Sequence, residues 1–99
     1  MATRIVLDRE AIAEFCRRNH IRKLELFGSV LREDFTERSD VDVLVEFQSG
    51  HVPGLAFFRM EDELSGILAR KVDLHTIGWL SPLIRRQALA NSELQYVET

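Results

Sequence analysis

Three acidic residues and one glycine–serine pair carry most of the chemical content of this sequence. Asp40 and Asp42 stand one residue apart at the mouth of the apolar run SDVDVLVEF, Asp73 lies within KVDLHTIGW, and Gly28 and Ser29 follow the run KLELF. On a strand, residues two apart point to the same face, so Asp40 and Asp42 crowd two like charges on one side of a sheet. Such a pair either takes up a proton or draws in a cation, because uncompensated buried charge is costly. If the strands around Gly28, Asp42 and Asp73 are neighbours, the three carboxylates offer oxygen ligands to a hard divalent ion such as Mg2+, which binds carboxylates and substrate phosphates together. Two such ions, about 3.5 to 4 Å apart, activate an attacking oxygen and steady a leaving pyrophosphate. A glycine leaving a strand lets backbone amides approach an anion, and a helix start beyond it aims them at phosphate. Ser29 adds a hydroxyl there, and Arg32, one turn on, adds a guanidinium.

Regular elements have to position these groups. Asp8 reads as the N-cap of a first helix that runs to about Asn19 or His20, with Ile12, Phe15 and Cys16 on one face. KLELF reads as a strand ended by the Gly-Ser turn, SVLRED as a short helical turn, and VDVLVEF as a strand buried on both faces beyond Asp42. QSGHVPG is a loop. From Leu55 to about Arg70, the residues Phe57, Met60, Leu64, Ile67 and Leu68 recur at helical spacing. KVDLHTIGW is a third strand, with Asp73 and His75 on one face and Val72, Leu74 and Thr76 on the other. Pro82 suits the first turn of a last helix, PLIRRQALAN, after which LQYVE is either an edge strand or irregular. The expected architecture is a single α/β or α+β domain over residues 1–99, a small mixed sheet packed with helices.

Composition narrows the function classes. The 99 residues are 45% hydrophobic and 29% charged, a composition that folds, and their net charge of -3 with both signs interspersed provides no basic stripe for a phosphate backbone. Direct nucleic-acid binding is not expected. Cys16 is the one cysteine, which excludes an intramolecular disulfide and a cysteine zinc cluster and fits a reducing compartment. The N-terminal stretch MATRIVLDREAIAEF has neither the apolar core of a signal peptide nor a membrane span, so a cytoplasmic location and no membrane association are expected.

The stretch LFGSVLREDFTERSDVDVLVEF, followed by KVDLHTI, resembles the signature of the minimal nucleotidyltransferases of the DNA polymerase β superfamily: a GS turn, a spacer of about ten residues, D-x-D, and an Asp on a later strand. Where that family often has A-R-G near the start of the spacer, this chain has Leu31, Arg32 and Glu33. The resemblance implies the nucleotidyltransferase fold, with Asp40, Asp42 and Asp73 as catalytic residues holding two Mg2+ ions. It also implies Gly28 and Ser29 on the triphosphate of ATP, with Arg32 and Ser39 as further nucleotide contacts. Many small members that look like this one are antitoxins paired with HEPN-domain RNases, and some transfer AMP from ATP to a tyrosine of that toxin. The same partner, a hetero-oligomer with it, and protein adenylyltransferase activity are therefore implied here.

A second reading is an antitoxin with weak or lost catalysis that neutralises its toxin by contact alone, and transfer to a small molecule such as an aminoglycoside ranks below both. The presence of all three carboxylates and the GS turn favours the enzyme. So does the short chain, which leaves little to enclose a small acceptor. Other chemistry-bearing residues read more simply: His75 and His51 as surface groups, Trp79 as packing, Tyr96 as an amphipathic side chain, and the pairs Arg17–Arg18 and Arg85–Arg86 as solvated faces. Phe57 and Phe58, about a hundred degrees apart on a helix, cannot both enter one core, so one of them marks a surface for a partner.

Overall fold

A computed structural model describes residues 7–28, 40–51, 53–76 and 81–98. Helix α1 (Arg9–Arg18) begins where expected, with the Asp8 carboxylate accepting a hydrogen bond from the amide of Ala11, and ends at Asn19. The strands are β1 (Ile21–Phe27), β2 (Val41–Phe47), β3 (Val72–Thr76) and β4 (Ser92–Val97), with α2 (Ala56–Leu68) between β2 and β3 and α3 (Pro82–Ala90) between β3 and β4. The C-terminal segment is thus a strand. The helical turn expected over SVLRED falls outside the described residues.

The sheet order is β3-β2-β1-β4. β1 runs antiparallel to both β2 and β4, whereas β2 and β3 are parallel, which is the mixed sheet expected from the sequence. α2 supplies the crossover that a parallel pair requires.

The core lies between one face of this sheet and two helices. Ile12, Phe15 and Cys16 of α1 and Phe57, Met60, Leu64 and Leu68 of α2 pack on Leu24 and Leu26 of β1, Val41, Val43 and Val45 of β2, and Val72 and Leu74 of β3. The apolar stripes recognised in the sequence are therefore the faces that are buried. Burial also pushes the Cys16 thiol up to about 12, which leaves it a packing residue without nucleophilic character. On the opposite face Phe27, Leu44 and Ala88 of α3 form a smaller cluster, so β2 is covered on both sides at Leu44 and polar on one side at Asp42. The adjacent phenylalanines divide as their helical angle requires: Phe57 is buried, and Phe58 is 65% exposed beside an exposed Leu55.

Candidate active site

The candidate site lies at the end of the sheet where β1 finishes and β2 begins. Phe27, the last residue of β1, pairs with Asp42 across the antiparallel ladder, and Asp42 pairs on its other side with Asp73 across the parallel one. Since Val41, Val43 and Val45 enter the helix-covered core, alternation turns Asp42 to the other face. The same alternation in β3 buries Val72 and Leu74 and brings Asp73 and His75 to the face of Asp42. Two carboxylates 31 residues apart in the chain are thereby placed on adjacent strands at the same level.

Asp40 stands just ahead of β2, with the Lys71 ammonium 3.9 Å from its Oδ2. The Asp73 carboxyl is raised above its ordinary value, first by burial and then by the charges of Asp40 and Asp42, while His75 and Lys71 act in the opposite direction. The three aspartates therefore sense one another electrostatically. As their side chains lie, no group of three His, Cys, Asp or Glu among the described residues is gathered closely enough to hold a metal ion.

Gly28 closes β1 with φ +76°, in the left-handed region, and a Cβ built there would lie 2.5 Å from Asp42 Oδ2. Glycine is required here twice over, for its backbone conformation and for the hollow it leaves beside that carboxylate. Hard carboxylate oxygens on one face that repel one another fit a hard divalent cation. Ser29, Arg32 and Ser39, the remaining residues expected to bind nucleotide, lie outside the described residues, as does Trp79.

Three residues near the site have roles that the sequence pattern did not disclose. His75, expected as a surface group, turns Nε2 toward Asp42, 3.5 Å from Oδ1. Its ring meets Phe27 edge-on with centroids 5.4 Å apart. Glu61 and Ser65, four residues apart on α2, secure the outer edge of β3: the Leu74 amide donates to Glu61 Oε2 at 2.9 Å and the Val72 amide to Ser65 Oγ at 3.0 Å. They satisfy edge amides on either side of Asp73 and so hold the strand that carries it. Their only sequence signal was a polar pair flanking the apolar stripe of α2. His51, by contrast, is exposed and stacks on His20 with ring centroids 4.0 Å apart. That stack lies at the opposite end of β1 from Gly28.

The family described as Nucleotidyltransferase domain matches residues 9–94, which spans every element from α1 into β4. The chain belongs to the nucleotidyltransferase domain family. A protein of Methanocaldococcus jannaschii provisionally named a protein adenylyltransferase is 43% identical over 68 residues, covering 67% of this chain and 67% of that protein. Among solved structures, one provisionally described as a minimal nucleotidyltransferase is 36% identical with a TM-score of 0.69, covering 85% of each chain. The fold also matches a chain from the complex of tri-AMPylated Shewanella oneidensis HEPN toxin with MNT antitoxin, at 20% identity and a TM-score of 0.62, covering 90% of this chain and 69% of that one. The fold and enzyme class implied by the sequence are thus those of the family, and this nucleotidyltransferase presents Asp42 and Asp73 side by side on one sheet face. No helix among its described residues is long and apolar enough to cross a membrane.

Proposed function

We propose that this nucleotidyltransferase is a Mg2+-dependent protein adenylyltransferase, the antitoxin of a HEPN/MNT pair, which moves AMP from ATP to a tyrosine hydroxyl of its partner toxin. The observation that carries the reading is the pairing of Asp42 with Asp73 across parallel strands, beside a glycine whose Cβ would collide with Asp42 Oδ2. Resemblance to proteins named as protein adenylyltransferases supports the donor and the acceptor class, and the HEPN partner rests on the fold match to an MNT antitoxin in complex with its AMPylated toxin.

Asp40, Asp42 and Asp73 would hold the Mg2+ ions, which supply charge stabilisation at the α-phosphate and the leaving pyrophosphate. Gly28 and Ser29 would receive the triphosphate at the end of β1, with Arg32 and Ser39 as further contacts. The acceptor tyrosine oxygen attacks the α-phosphorus, the bond from the α-phosphorus to the bridging oxygen breaks, and pyrophosphate departs. The phenolic proton must leave as that bond forms. Asp73, paired with Asp42 on the same sheet face, is the carboxylate proposed to stand nearest the incoming hydroxyl and to assist that proton's departure.

Intact-mass measurement of the co-purified partner tests the reading. Incubation with ATP and Mg2+ is expected to add adenylate-sized increments that map to tyrosine, and Asp73→Asn is expected to block the addition more than it weakens ATP binding. A partner that binds tightly yet gains no mass would leave neutralisation by contact as the better account.

A further inference from the structure

His75 shares the face of the candidate site without belonging to the expected carboxylate set. Its Nε2 is buried and makes no hydrogen bond, although Asp42 Oδ1 is only 3.5 Å away. A buried ring nitrogen without a partner is unfavourable and is rare in folded proteins. Phe27 packs against the ring edge-on, and the parallel register sets the His75 backbone beside Leu44, two residues along from Asp42. Asp42 meanwhile divides its two oxygens: Oδ1 faces His75, and Oδ2 packs against Gly28.

We propose that His75 is a positioning residue for Asp42: its Nε2–H takes Oδ1 as hydrogen-bond acceptor, which fixes the plane of the carboxylate that would ligate the divalent cation. The proposal rests on the cation reading above. A small rotation of the Asp42 carboxylate would shorten the 3.5 Å contact into a hydrogen bond. A hydrogen-bonded partner behind a ligating carboxylate orients the ligand and is commonly worth about 10- to 100-fold in metal affinity. Phe27 contributes by holding the imidazole edge, which assigns a function to an aromatic residue at the last position of β1.

The test measures metal-dependent nucleotide binding without turnover. The affinity of the purified protein for AMP-PNP is determined by calorimetry with Mn2+ and again with EDTA, and the ratio of the two is the metal-dependent gain. The EPR spectrum of bound Mn2+ reports its ligand environment in parallel. Wild type is expected to show a gain and Asp42→Asn to lose it. His75→Leu, which fills the space but cannot donate, should reduce the gain by about 10- to 100-fold with affinity in EDTA unchanged. His75→Gln, which places an amide N–H near the position of Nε2, should retain the gain within about threefold, a rescue that a purely packing role does not predict. No gain in wild type overturns the cation site and the proposal with it. A gain that is abolished by Asp42→Asn but equal to wild type in His75→Leu overturns the positioning role alone, as does equal loss in the Leu and Gln variants.

Discussion

Substituting Gly28 by alanine perturbs backbone and site through separable terms. The residue sits at φ +76°, where a Cβ meets the following carbonyl at a cost of about 1–2 kcal/mol. The added carbon would also lie 2.5 Å from Asp42 Oδ2, 3.4 Å from the carboxyl carbon and 3.5 Å from Cβ of the same aspartate. Only the first of these distances forces a movement, and the atom concerned is the end of a side chain that can turn away. Turning it off its rotamer costs on the order of 0.5–1.5 kcal/mol. The sum, about 1.5–3.5 kcal/mol, corresponds to a fall in Tm of about 6–28 °C for a domain of this size. The loss of transfer should be larger than the loss of stability implies, because displacement of a site group by roughly 1 Å can cost about a hundredfold in rate. A double-mutant cycle separates the two terms: in an Asp42→Ala background the collision is gone, so Gly28→Ala should cost only the backbone part. Chemical denaturation of the four proteins gives the coupling, and adenylate transfer to the partner by wild type and Gly28→Ala gives the activity. Identical costs of Gly28→Ala in both backgrounds, or a variant with full transfer, would refute the reasoning.

Further outcomes follow from the same geometry. Because the folded-state value of Asp73 is raised, its ionisation opposes folding: stability falls as pH rises through the carboxylate range and is recovered as the group protonates. Asp73→Asn should therefore raise Tm at neutral pH in EDTA, with the difference shrinking in acid, as thermal melts across pH would record. Removing the Glu61 carboxylate leaves the Leu74 amide unpaired at the edge of β3, so Glu61→Ala should cost about 1.5–3 kcal/mol in denaturant titrations and expose amides of β3 to hydrogen exchange. The Cys16 thiol, buried and raised to about 12, should react with a thiol reagent only at the rate at which the protein opens.

Local pattern was enough for the elements and for the faces they bury. The Asp8 cap, the stripe from Phe57 to Leu68 and the alternation in VDLHT each state a periodicity that only one secondary structure satisfies, and each is realised. The resemblance carried by the GS turn, D-x-D and the later Asp likewise identified the family before any coordinates. What the chain could not state locally is how separate strands are aligned. Whether Asp73 meets Asp42 depends on the parallel register of β3 against β2, set by the crossover through α2 and by Glu61 and Ser65 at the strand edge. The approach of His75 to Asp42 and the collision at Gly28 arise from the same alignment, between residues far apart in sequence. Periodicity within a segment fixes which way a side chain points, because it follows from backbone geometry alone. Which other side chain it meets is decided by packing across segments, and that required the tertiary structure.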